Sequence, residues 1–106
     1  RDEATVARMV YRLTKEPATV FGLEAGSLAI GSRADMVLIN PKALDNWEPD
    51  QTRVLEHREI FDHKQMVNRP KGIVASVFIK GVLAWANGEP QEALGRDTLG
   101  QALRAA

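Results

Sequence analysis

Hydrophobic and polar positions change their period several times along the chain, and each change marks an element. Between Asp2 and Lys15, the residues Val6, Met9, Val10 and Leu13 fall at i, i+3, i+4 and i+7, with Arg8, Arg12 and Lys15 among the remaining positions. That stripe predicts an amphipathic helix. Pro17 cannot donate to a continuing helix and disfavours α geometry at Glu16, so a break near Glu16 and a short second helix over residues 17–21 are expected. Met36-Val37-Leu38-Ile39 is apolar at four successive positions, the pattern of a strand covered on both faces. Residues 27–30 read as its hairpin partner across Gly31-Ser32-Arg33-Ala34-Asp35, whose glycine and polar residues suit a hairpin connection. β-branched residues fill positions 73–79, and Lys80-Gly81 turns that run into a second hairpin strand at Val82–Ala86, ended by Asn87-Gly88.

Between the two hairpins the periodicity fades. Residues 41–71 contain three of the five prolines and many of the charged residues, and they read as loop and short helical turns. Val54-Leu55, Ile60-Phe61 and Met66-Val67 would pin this excursion, lid-like, against the body. In the tail, Leu94, Leu99 and Leu103 accompany an Asp97 placed to cap a short helix, with Gly100 weakening it.

The bends carry glycine. Gly22 follows the last apolar residue of the helical region, Gly26 precedes the 27–30 segment and Gly31 ends it, each free to take positive φ. Together with Thr14, Pro17, Ala18, Leu23, Ser27, Leu28, Ala34, Asp35, Met36, Val37 and Leu38, they match the pattern T-x-x-P-A-x-x-x-G-L, then G-(S/T)-(L/I)-x-x-G-x-x-A-D-(L/I/M)-V-(L/V). In this the chain resembles the carboxyl-terminal part of the amidohydrolase superfamily. Phe61-Asp62-His63, Val67-Asn68-Arg69, Gly72-Ile73-Val74, Val77 to Gly81 and Gly88 look like the branch of N-acyl-D-amino-acid deacylases, the D-aminoacylases.

The resemblance implies an α+β fragment. Residues 1–23 would be the terminal helical segment of a (β/α)8 barrel, and residues 24–106 the carboxyl-terminal part of an antiparallel β-sandwich with its loop-rich excursion at 41–71. Pro17, Gly22, Gly26, Gly31, Ala34, Asp35, Gly81 and Gly88 would be structural motif residues. The family's metal-binding histidines and catalytic aspartate precede the matched region, so the resemblance assigns no catalytic residue and no metal ligand here. Zinc and hydrolysis of an N-acyl amide bond, of an N-acyl-D-amino acid in the suggested branch, would belong to the parent enzyme. The expected partners are the rest of the parent chain, its barrel and amino-terminal sandwich strands, and a second copy of the fragment through an uncovered edge.

Composition narrows the alternatives. At 106 residues the chain fits one domain, and its 14 basic and 14 acidic residues leave a formal net charge of zero. No broad field would therefore draw nucleic acid or an anionic membrane. No apolar run approaches the roughly 20 residues that span a bilayer. The absence of cysteine excludes disulfides and thiolate chemistry and agrees with a cytoplasmic protein. The chain opens on Arg1 with helical periodicity following at once, which reads as a cut from something longer.

Candidate chemistry is sparse. His57 and His63 lie among Glu56, Glu59 and Asp62, but six residues apart on a helix they would point about 120° from one another, unlike the i, i+4 spacing of helical zinc ligands. A solvated loop is favoured over a metal centre. Gly26 to Gly31 lacks the Gly-Lys-Ser/Thr ending of a phosphate loop, Ser27, Ser32 and Ser76 lack a nucleophile elbow, and Asp35 suits a side chain that bonds turn amides. Two other classes remain open: a stand-alone α+β module that binds a partner by strand addition, and a metalloenzyme built on His57 and His63.

Overall fold

The computed structural model describes residues 2–105. Helix α1 (Glu3–Leu13) begins where Asp2 accepts hydrogen bonds from the Thr5 N–H at 2.8 Å and the Thr5 hydroxyl at 2.9 Å, satisfying one of the free donors of the first turn. Helix α2 (Lys15–Val20) follows directly. The break falls at Thr14 rather than Glu16, and the second helix starts two residues earlier than position 17. Pro17 is the third residue of α2, inside the first turn, where a backbone N–H has no intrahelical partner to lose. The Leu23 N–H reaches back to the Ala18 carbonyl at 2.8 Å and the Gly22 N–H to Thr19 at 3.2 Å, with Gly22 at φ +67°. This is a Schellman ending, and it requires the glycine.

Strand β1 (Met36–Ile39) comes next, then the short helices α3 (Pro41–Asp45) and α4 (Pro49–Thr52). A hairpin of β2 (Arg53–Arg58) and β3 (His63–Asn68) follows, joined by a 3-10 turn at Glu59–Phe61, and β4 (Val74–Ile79), β5 (Val82–Ala86) and β6 (Glu89–Pro90) complete the order. The main sheet is antiparallel with spatial order β1-β4-β5-β6, and β2-β3 form a separate pair.

Three expectations change. First, β1 pairs with β4, Met36 opposite Phe78 and Val37 opposite Val77, and residues 27–30 are not a strand. The segment before it packs closely on the helices: a Cβ at Gly26 would sit 2.6 Å from the Thr14 carbonyl carbon and 2.8 Å from the Lys15 nitrogen. The loop is thus seated against the α1–α2 junction, Ile30 points out to solvent, and β1 is left to the longer β-branched partner. Second, the 41–71 excursion is built from regular elements. Val54 faces Val67 and Leu55 faces Met66 across β2 and β3, so the sparse apolar anchors are cross-strand pairs. The base of that hairpin is tied by Trp47 Nε1 to Thr52 Oγ1 at 2.8 Å, Thr52 Oγ1 to Asn68 Oδ1 at 2.6 Å, and Asn68 Nδ2 to the Pro49 carbonyl at 3.1 Å. Third, no helix forms in the described tail: the Asp97 carboxylate pairs with Arg96 at 2.9 Å instead of capping.

The core is small. Among the described residues, the buried apolar side chains are Ala18, Ile73, Ala84, Ala86 and Leu99. The accessible surface is 8852 Å², whereas a compact monomer of 11.7 kDa would expose about 5,900 Å². The radius of gyration agrees, 16.1 Å against about 13 Å for a compact domain of this length. β1, read from sequence as covered on both faces, has Val37 53%, Leu38 54% and Ile39 45% exposed. The apolar stripe of α1 is likewise bare at Met9, Val10 and Leu13. These elements have the composition of covered elements and lack the cover.

Candidate functional site

The best-organised polar cluster joins the loop before β1 to the β4–β5 turn. One oxygen of Asp35 accepts from the Lys80 backbone N–H at 2.9 Å, and the other takes Arg33 Nε at 2.9 Å and Nη2 at 2.6 Å. The Gly81 N–H donates to the Ala34 carbonyl at 2.9 Å. Lys80 and Gly81 both hold positive φ, +53° and +77°, which aims two successive amides at residues 34 and 35. The Lys80 hydrogen bond, aided by the Arg33 guanidinium, keeps the Asp35 carboxyl below the usual carboxylate range against the opposing pull of burial. Asp35 thus bonds one turn amide, that of Lys80, in a turn 45 residues ahead. Arg33 was absent from the residues singled out in the sequence. An arginine two positions before an aspartate at a strand entry was the signal for it.

Beside this cluster lies an open cleft of about 550 Å³ between the 24–33 loop and the 101–104 segment, lined by Lys15, Glu24, Arg33, Asp35, Gln101 and Arg104 among others. The mixed charges do not converge on a reacting position. No histidine lines the cleft, and the Ser27 hydroxyl accepts from the Ala29 N–H at 3.1 Å within its own turn. Pro17 and Gly22 shape α2 and its ending, Gly26 and Gly31 line the cleft wall, and Gly88 ends the β5 turn at φ +80°.

The histidines are on the β2–β3 hairpin. His57 lies opposite Lys64 and His63 opposite Arg58, so the two imidazoles occupy opposite faces of the pleat and cannot hold one ion between them. His57 Nε2 is 3.8 Å from Asp62 Oδ1. His63 Nδ1 donates to the Phe61 carbonyl at 3.0 Å, and its Nε2 lies 3.1 Å from the Gln65 amide nitrogen. Among the described residues, no three His, Asp or Glu side chains come together to hold a metal ion.

Comparison with known proteins decides the kinship. The profile of the Amidohydrolase family matches residues 1–84. The chain belongs to the amidohydrolase family. Uncharacterized proteins of Mycobacterium tuberculosis and Mycobacterium bovis are each 34% identical to it over 89 residues, covering 80% of this chain and 14% of theirs. A dihydroorotase of a Geobacillus species is 31% identical over 94 residues, covering 79% of this chain and 19% of its own. The chain therefore spans between about a seventh and a fifth of the length of these relatives. No solved structure matches. The metal expected of the family finds no ligand set among the described residues. No helix there is long and apolar enough to cross a membrane.

Proposed function

We propose that residues 1–106 form a structural, non-catalytic portion of a metal-dependent amidohydrolase. In this reading α1 and α2 close a barrel domain, and the four-stranded sheet with the β2–β3 hairpin is part of a β-sandwich completed by other segments of the same polypeptide. The parent would hydrolyse N-acyl amide bonds with zinc, with N-acyl-D-amino acids as its substrates. One observation carries the reading: the chain matches the family over most of its length while exposing about half again the surface of a self-sufficient monomer of its mass. Apolar stripes on α1 and both faces of β1 are what a larger body would cover.

The test has two arms. Translating the coding region upstream of Arg1 in frame is expected to give a His-x-His pair, further histidines and an aspartate. A stop codon directly upstream refutes the parent. Residues 1–106 alone, incubated with zinc and N-acetyl-D-amino acids, are expected to show no turnover and no stoichiometric metal. Turnover lost on His57→Ala would overturn the structural role and restore the small metalloenzyme.

A further inference from the structure

β5 and β6 are joined by the two residues Asn87-Gly88, with Ala86 opposite Glu89 and Trp85 opposite Pro90. Both turn residues hold positive φ, +55° and +80°, the conformation that Asn-Gly favours in tight hairpin turns. Both are exposed. Neither the Asn87 side chain nor the Gly88 N–H has a hydrogen-bond partner among the described residues, and a Cβ built on Gly88 would meet nothing within 4 Å. A side-chain amide and the backbone nitrogen of the next residue are therefore both free and open to water, and glycine puts no side chain between them.

The other asparagines lack this combination. Asn40 precedes Pro41, whose nitrogen has no hydrogen to give up, and its Oδ1 accepts from the Ala43 N–H at 3.1 Å. Asn46 precedes Trp47, whose N–H is donated to the Leu44 carbonyl at 3.2 Å. Asn68 precedes Arg69, and its side chain is held at both ends, by Thr52 Oγ1 at 2.6 Å and by the Pro49 carbonyl at 3.1 Å. No aspartate or glutamine of the chain precedes a glycine.

We propose that Asn87 is a site of self-modification, where the chain's own backbone displaces the side-chain amide and water completes the reaction. The Gly88 nitrogen gives up its proton and adds to Asn87 Cγ; the Cγ–Nδ2 bond breaks, and Nδ2 leaves as ammonia. The result is a cyclic imide. Water then opens it on either side of the Gly88 nitrogen, at Cγ to give aspartate or at the backbone carbonyl to give isoaspartate, in which the chain continues through Cγ. Either product adds a negative charge to a chain whose formal net charge is zero. Aspartate tolerates the left-handed position and keeps the turn. Isoaspartate lengthens the backbone of a turn fitted to two residues, so the pairing of Ala86 with Glu89 and the bond from the Gln91 N–H to the Ala84 carbonyl at 2.9 Å are lost with it. None of this depends on the amidohydrolase reading.

The test is peptide mapping by mass spectrometry of residues 1–106 incubated at neutral and at mildly alkaline pH. A synthetic peptide of residues 82–92 serves as the unstructured reference, and the variants Gly88→Ala and Asn87→Gln are incubated alongside. Aspartyl and isoaspartyl products are expected at position 87 and at no other asparagine, forming faster at the higher pH because the attacking nitrogen must lose its proton. Gly88→Ala should slow them severalfold by hindering the nitrogen. Asn87→Gln keeps the turn glycine and should remain an amide, since its longer side chain closes a less favourable ring. An Asn87 still intact when the reference peptide has fully converted overturns the proposal. So does equal conversion at Asn46 or Asn68, the behaviour of an unfolded chain, or conversion that Gly88→Ala leaves undiminished.

Discussion

Replacing Gly26 by alanine separates two costs that usually come together. Gly26 sits at φ +74°, and an added Cβ would lie 2.6, 2.7 and 2.8 Å from three backbone atoms of Thr14 and Lys15. Backbone atoms at a helix junction cannot rotate away as a flexible side chain can. Gly31 sits at φ +92° with nothing within 4 Å of the same added atom. Both alanines bear the left-handed penalty, about 1–2 kcal/mol; Gly26→Ala adds an overpacking cost of about 1–3 kcal/mol. The expected destabilisations are about 1–2 kcal/mol for Gly31→Ala and about 2–5 kcal/mol for Gly26→Ala. Urea unfolding followed by the fluorescence of Trp47 and Trp85 measures both. Equal losses would refute the seating of the 24–33 loop on the helix junction. Position alone suggests that Gly31→Val should cost more than Gly95→Val. With Gly95 equally open at φ +87°, the two are expected to match.

Other expectations follow from the same geometry. Asp35→Ala removes the acceptor of the Lys80 N–H and the Arg33 ion pair, and costs about 1 kcal/mol, the low side for charged hydrogen bonds because the carboxylate is partly solvated. Because the folded state lowers the Asp35 carboxyl below its ordinary value, its contribution is complete above that ordinary value and lost as pH falls through the lowered one. The stability gap between wild type and Asp35→Asn in acid titrations should close on the acid side, and a gap that widens there contradicts the assignment. Ala84 is 1% exposed in β5, so Ala84→Leu should cost about 1–3 kcal/mol by urea unfolding. Zinc added to the chain should leave the melting temperature of wild type and His63→Ala equally unmoved, since the imidazoles lie on opposite hairpin faces. A shift confined to wild type would reveal a site.

Where local chemistry determines structure, the sequence was legible. The 3.6-residue stripe of α1, the Gly22 ending of α2 and the Lys80-Gly81 hairpin all depend on neighbours in the chain. The partner of β1 was not legible, because four apolar residues specify a strand without naming what lies beside it, and the adjacent 27–30 segment had hairpin-like punctuation. The pairing of β1 with β4 joins segments about 40 residues apart, as Met36 opposite Phe78 shows, and no periodicity encodes it. The β2–β3 hairpin escaped notice because its turn, Glu59-Ile60-Phe61-Asp62, contains no glycine and places Asp62 at φ +49°. Its signal was a mirror: Val54-Leu55 and Met66-Val67 stand equally far from Ile60-Phe61. At the site, the sequence suggested that Asp35 bonds turn amides; the structure gives it the single Lys80 N–H of a distant turn, and the Arg33 ion pair beside it. The family was legible because glycines, Pro17 and the Ala34-Asp35 pair keep fixed spacings whatever pairs with what.

The central claim, that these elements are built to be covered by further polypeptide, is tested most directly by amide hydrogen exchange at Val37 and Ile39. The measurement compares residues 1–106, diluted until monomeric, with the longer polypeptide that carries the upstream frame. Both amides should exchange quickly in the short chain, because they point from an open edge, while Met36 and Leu38 are slower through β4. In the longer polypeptide all four should be protected. Equal, rapid exchange of Val37 and Ile39 in both would mean that the β1 edge is exposed in the whole enzyme, and would contradict the account.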